Sequence, residues 1–132
     1  MKYGILVSAI AIATVSSATA QSTIDLTQDG LNNEATIEQE DANNAVAVNQ
    51  AGEDSTADVR QLGSDSVITV DQTAGSVQGV VNLEQNGQGA GGLNDIFVGQ
   101  DGVANVVDVI QNGSENIATA TQQGFWRRPR DC

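Results

Sequence analysis

Glutamine recurs along this chain at a nearly constant spacing, and this period constrains the fold more than any other feature. Four steps of 11 residues are followed by steps of 13 and 15 and then by two more of 11, which marks nine positions: Gln28, Gln39, Gln50, Gln61, Gln72, Gln85, Gln100, Gln111 and Gln122. Repeats this short cannot each bury a core, so they must stack on one another. We therefore expect a solenoid of nine units.

Each unit has the pattern of a β-strand with one buried face. Small apolar residues stand two and four places before the glutamine, as Val48 and Val46 do before Gln50. Six places before it stand Ser22, Asn33, Asn44, Ser55, Ser66, Gly79, Asn94, Asn105 and Asn116. This period-two alternation predicts a strand of about seven residues. A short connection follows, usually with glycine two places after the glutamine, where a chain reversal favours it.

Two units form one coil of about 22 residues, so alternate strands belong to two different sheets. One parallel sheet would hold the strands that end at Gln28, Gln50, Gln72, Gln100 and Gln122, and the other those that end at Gln39, Gln61, Gln85 and Gln111. Longer connections at residues 73–78 and 86–93 absorb the irregular steps. The predicted fold is all-β, a two-sheet parallel β-solenoid with two strands per coil and about nine strands.

Polar amides on the inward face need partners, and stacking supplies them. An isolated buried amide costs about 1–3 kcal/mol, whereas amides stacked on equivalent neighbours can donate to and accept from one another. We therefore expect ladders that also guide self-assembly, formed by Gln28, Asn33, Gln39, Asn44, Gln50, Gln61, Gln72, Gln85, Asn94, Gln100, Asn105, Gln111, Asn116 and Gln122.

The two ends of the chain differ from the repeats. Residues 1–20 predict a secretory signal peptide, with Lys2 before a short apolar run and Ala18 and Ala20 at a cleavage site. Residues 21–124 form the solenoid, and residues 125–132 a basic tail. The tail has two interpretations. It is a cap that blunts the last strand, or a docking element in which aromatic anchors and arginines meet an acidic partner or the cell surface, through Phe125, Trp126, Arg127, Arg128 and Arg130.

Charge and composition exclude several classes of function. Residues 21–126 carry 16 acidic residues and one basic residue, Arg60, for a net charge of −15, which argues against binding to nucleic acid. The sequence has no histidine and one cysteine, Cys132, so it predicts no cysteine/histidine metal site, no cofactor and no internal disulfide. Glu38 and Glu84 flank Arg60 on an outward face and indicate a charge ladder rather than a catalytic acid/base pair. We expect no enzyme.

The repeat resembles that of the curlin family, Q-x-G-x-x-N-x-A-x-x-x-Q. Gln28, Gly30, Asn33, Ala35 and Gln39 match it fully, and so do Gln111, Gly113, Asn116, Ala118 and Gln122. The resemblance implies export by curli-type secretion and nucleation machinery to the surface of a Gram-negative bacterium. It also implies assembly, with itself and with another curlin subunit, into the amyloid fibres of biofilm and adhesion, as a major or a minor, nucleating subunit. The alternative is a secreted β-solenoid adhesin that does not polymerise.

Overall fold

The computed structural model describes residues 9–16, 21–87 and 93–124, and within these ranges the chain forms ten strands and no helix. The strands are β1 (Ala9–Ser16), β2 (Thr23–Gln28), β3 (Asn33–Glu40), β4 (Ala45–Gln50), β5 (Thr56–Leu62), β6 (Val67–Gln72), β7 (Val80–Asn86), β8 (Asp95–Gly102), β9 (Val106–Asn112) and β10 (Ile117–Gly124). None of the described ranges therefore contains a helix that could cross a membrane.

The strands form two parallel sheets, each built from alternate strands. Sheet A has the order β1-β3-β5-β7-β9, and sheet B has the order β2-β4-β6-β8-β10. Within both sheets the repeat glutamines are in register, as Gln39 is with Gln61 and Gln61 with Gln85. This arrangement confirms the predicted two-sheet β-solenoid. The register follows from the alternation of inward and outward residues, because a shift by one residue would expose the apolar side chains.

The core between the sheets is a thin layer two residues wide on each strand. Its centre includes Ala35, Ile37, Val59 and Ile68, all fully buried. The described part of this core contains only aliphatic side chains. Side chains of this size fit between two sheets that approach closely, and the amide columns flank them on either side.

Strand β1 comes from the segment that the sequence predicts to be a signal peptide. It pairs in parallel with β3, from Ala9 opposite Asn33 to Ser16 opposite Glu40, and so forms the outer strand of sheet A. The nine predicted units account for β2 to β10, and β1 is an additional strand. Cleavage after Ala20 stays a prediction, and residues 1–8 and 17–20 lie outside the described residues.

The longer connection between β6 and β7 leaves the stacking of the coils intact. Ala74 and Gly75 form a turn in which the backbone N–H of Ser76 donates to the carbonyl of Thr73 at 2.8 Å. The chain then rejoins the stack at Val77, which bridges Glu53 on one coil and Val103 on the next. The second predicted loop, residues 86–93, includes residues 88–92, which lie outside the described residues, as does the tail, residues 125–132.

Candidate functional site

The glutamine side chains form two continuous hydrogen-bonded ladders along the solenoid. In sheet B, Nε2 donates to Oε1 of the next coil from Gln28 to Gln50 at 2.8 Å, from Gln50 to Gln72 at 2.9 Å, from Gln72 to Gln100 at 2.9 Å and from Gln100 to Gln122 at 3.4 Å. In sheet A the same bond runs from Gln39 to Gln61 at 2.9 Å, from Gln61 to Gln85 at 2.9 Å and from Gln85 to Gln111 at 3.1 Å. The glutamines therefore form ladders within one copy, and their role in self-assembly stays a prediction.

Most glutamine amides in the ladders also tie the two sheets together. Nε2 of Gln50, for example, donates to the backbone carbonyl of Glu34 in sheet A at 2.9 Å, in addition to Gln72. Equivalent bonds to the opposite sheet are made by Gln39, Gln72, Gln100 and Gln111. An amide has two N–H donors, so one serves the ladder and the other the facing sheet. Gln39, Gln50, Gln72 and Gln100 thus pair both of their amide donors.

The ladders have a direction, because every Nε2 donates toward the C-terminal end of the solenoid. The N-terminal end consequently presents acceptors. Oε1 of Gln39, on β3, is buried and accepts no hydrogen bond from any residue that the structure describes. At the other end, Gln122 accepts from Gln100. The Nε2 of Gln122, which is partly exposed, donates to none of the described residues.

The asparagines do not form the amide-to-amide ladder that the sequence predicted. Nδ2 of Asn33 donates to the carbonyls of Asp29 and Gly52, at 3.1 and 3.0 Å, and its Oδ1 accepts from the N–H of Ser55 at 3.1 Å. Asn44 makes the same three types of contact. Asparagine is one methylene shorter than glutamine, and its neighbours on adjacent coils are mainly serines. It therefore clamps the connections of two coils together.

The remaining asparagines of this column occupy the same kind of position nearer the C-terminal end. Nδ2 of Asn94 donates to the backbone carbonyl of Gly113 at 2.8 Å. Nδ2 of Asn105 donates to the backbone carbonyl of Asp101 at 2.9 Å, and Nδ2 of Asn116 to that of Asn112 at 3.1 Å. Burial falls toward the ends of the solenoid. Interior glutamines are fully buried, whereas Gln28, Asn105, Asn116 and Gln122 are partly exposed.

The connections contain a conformational requirement that the sequence analysis missed. The fourth residue after the glutamine, or its equivalent in the longer connection, has a positive φ of 52 to 60° at Asn32, Asn43, Asp54, Asp65, Gln78, Ala104 and Glu115. Asparagine and aspartate tolerate this left-handed region best among non-glycine residues. Their recurrence four places after glutamine was the available signal. Glutamine, alanine and glutamate at three of the seven positions obscured it.

Replacing Ala104 with glycine is expected to stabilise the solenoid. Ala104 has a φ of 57°, and glycine relieves this strain, so we expect the free energy of unfolding to rise by about 0.5–1 kcal/mol. The measurement is the midpoint of urea unfolding of freshly prepared monomer. Ala42→Gly is the matched control, because Ala42 lies in an equivalent connection without a positive φ. Glycine there should lower stability, and equal effects of both changes would contradict the interpretation.

The glycines two places after glutamine are required by close approach of neighbouring coils. Gly30 has a φ of 115°, and a Cβ on it would collide with the carbonyl oxygen of Gly52 on the next coil. Gly102 meets Gly124 in the same way, with a φ of 110°. The connections therefore stack as tightly as the strands.

The outward faces are acidic, but the stacking keeps carboxylates apart. Arg60 lies between Glu38 and Glu84, and its Nε is 3.2 Å from Oε2 of Glu38 in an exposed ion pair. Asn82 likewise separates Asp58 from Asp108. Across all the described strand pairs, no carboxylate stands directly opposite another. The described residues also contain no group of ligands arranged to hold a metal ion.

Coils joined by buried side-chain ladders, with partly uncovered strands at each end, define a structural repeat protein of the β-solenoid class. The family model described as the curlin associated repeat matches residues 31–63, which span three of the nine units. The match covers 33 of the 132 residues, and over these residues the chain is similar to the repeat of the curlins, a family of structural proteins. A search of the curated proteins found no match to the chain.

Proposed function

We propose that the chain is secreted and assembles end to end with copies of itself into extracellular amyloid fibres, which serve as matrix and adhesive material on the surface of a Gram-negative bacterium. The single observation that carries this proposal is the open end of the sheet A ladder: none of the described residues donates to Oε1 of Gln39 on β3, and β3 becomes an edge strand in the mature chain, which lacks β1. A strand from another copy that covers this oxygen must supply a donor, because a buried polar atom without a partner costs about 1–3 kcal/mol. A strand with glutamine opposite Gln39 supplies that donor.

The terminal strands support the same proposal, because they carry the inward residues of the interior strands without the same coverage. Leu26 on β2 and Ala118 and Ala120 on β10 are only partly buried, whereas Val59 in an interior strand is fully buried. An unpaired edge also exposes a row of backbone donors and acceptors that template a further strand. Addition of another copy buries the apolar residues and pairs the backbone groups together.

The similarity of residues 31–63 to the curlin repeat suggests partners other than the chain itself. Curli-type export and nucleation machinery and a second curlin subunit are the partners that we propose. A surface-attached, minor subunit would use the tail, where Trp126, Arg127 and Arg128 offer an aromatic anchor and positive charge beside the acidic solenoid. The chain would then nucleate fibres at the cell surface.

The experiment that tests the proposal is assembly of the purified mature chain, residues 21–132, without seeds. We expect fibres with cross-β reflections at about 4.7–4.8 Å and about 10 Å, which report the spacing of strands and of sheets. Fibre fragments added as seeds should shorten the lag. A chain that stays monomeric for days at high concentration, even with seeds, would contradict the proposal and favour a solenoid adhesin that does not polymerise.

A further inference from the structure

The number of strands determines how one copy can continue into the next. Without β1, residues 21–87 and 93–124 form nine strands, of which the first and the last, β2 and β10, both lie in sheet B. We infer that successive copies join by a half turn about the fibre axis, so that sheet A of one copy continues into sheet B of the next. This inference rests on the proposed assembly into fibres and specifies the interface between copies.

The half turn follows from the heights of the free edges. At the C-terminal end, β10 lies half a coil beyond β9, and at the N-terminal end β2 lies half a coil before β3. A continuous stack therefore places β2 of the next copy on β9, and β3 of the next copy on β10. If β2 were placed on β10 instead, sheet A would lack one strand at the junction. The backbone donors and acceptors facing that gap would be left unpaired.

The polarity of the ladders fits this junction. Aligning the repeats places Gln122 of one copy on Gln39 of the next. Nε2 of Gln122 would donate to the Oε1 of Gln39 that lacks a partner among the described residues. In the opposite orientation, with two N-terminal ends together, acceptors would face acceptors. The junction is therefore head to tail.

Strand β1 indicates which kind of strand the edge of β3 accepts. Its register places Ala11 opposite Ala35 and Ala13 opposite Ile37. In the half-turn junction, β10 of the preceding copy places alanines at the same two positions, Ala118 and Ala120. Where β1 pairs Val15 with Gln39, β10 adds glutamine. β10 thus brings alanine to the same two register positions and an amide donor opposite Gln39.

The junction also brings together outward residues that are far apart within one copy. On the β10–β3 side, Thr119 comes to lie beside Thr36 of the next copy. On the β9–β2 side, Asp108 comes to lie beside Asp25 of the next copy. In the alternative without a half turn, Thr119 would lie beside Asp25 instead. These outward neighbours distinguish the two junctions.

Disulfide cross-linking of fibres tests the junction. One variant of the mature chain carries Thr36→Cys and Thr119→Cys, and a second carries Asp25→Cys and Thr119→Cys, both with Cys132→Ser. Facing residues on adjacent strands are about 4.8 Å apart at their Cα atoms, which is within the range for a disulfide. After assembly and mild oxidation, we expect the first variant to yield a ladder of covalent oligomers on a denaturing gel. The second should stay largely monomeric.

The results separate the junction from the proposed function. Fibres whose second variant cross-links and whose first does not would overturn the half turn while leaving fibre assembly intact. Fibres in which neither pair cross-links would also overturn it. If the Cys132→Ser chain without added cysteines forms no fibres under any condition, the proposed function fails and the junction fails with it.

Discussion

Replacing Gln61 with leucine is expected to lower the free energy of unfolding by about 2–4 kcal/mol, although leucine has a similar volume and is more apolar. Gln61 is fully buried, accepts from Gln39 and donates to Gln85. Leucine leaves the Oε1 of Gln85 without its donor and removes the acceptor of Gln39. The gain from an apolar side chain does not offset two broken amide contacts in a dry interior.

Urea unfolding of freshly prepared monomer, followed by circular dichroism, measures this effect. Asn82→Leu is the control, because Asn82 is an amide on the outward face of an interior strand and is exposed. Substitutions at such positions usually change stability by less than about 0.5 kcal/mol. A loss at Gln61 no larger than at Asn82 would show that the ladders contribute little to the fold.

Acid is expected to accelerate fibre growth about tenfold or more, and this is the second large effect. Residues 21–126 carry a net charge of −15, so each added copy brings many carboxylates close to others of the same sign. Asp and Glu carboxylates ordinarily become protonated as the pH falls toward about 4, which removes this repulsion. Growth should therefore be slow at neutral pH and rise as the pH falls. Salt should accelerate growth at neutral pH by screening.

The half-turn junction adds a local expectation to this pH dependence. Asp25→Asn should raise the growth rate at neutral pH by up to about fivefold, because it removes a like-charge pair with Asp108 of the neighbouring copy. Asp58→Asn is the control. It changes the net charge equally, but Asp58 lies on an interior strand between Thr36 and Asn82, so this variant removes no like-charge pair at the junction and should accelerate growth less. Elongation rates from seeded assembly measure both. Growth that is slowest in mild acid and indifferent to salt would contradict electrostatic control of assembly.

The strands and sheets could be predicted from the sequence because a single residue type marks the same point of every unit. Gln50 and Gln72 differ in position by one coil, and any register that pairs them also aligns Val48 with Val70. The apolar and amide columns then agree on one alignment. Period-two burial fixes how each strand aligns along its neighbour, because a shift by one residue would turn both columns outward.

The contacts of the asparagines could not be predicted from the same pattern. Asn33 and Gln39 both carry an amide and both point inward, but Asn33 is shorter and lies beside a connection. Its partners are backbone carbonyls of loops whose path the sequence does not reveal. Strand β1 was missed for a different reason, because its apolar residues also fit the pattern of an export signal.

A chain of near-equivalent units faces a problem of counting, since every coil offers the next strand almost the same surface. A strand displaced by one whole coil would find glutamine opposite glutamine and valine opposite valine, and would lose little free energy. The irregular connection at Val77 limits this degeneracy, because its extra turn makes one coil differ from the others, and that coil lies between Glu53 and Val103. A chain in which residues 73–78 were shortened to the regular length would be expected to populate misaligned, slowly interconverting folds. The irregularity thus acts as a register mark that lets a repetitive sequence reach one structure.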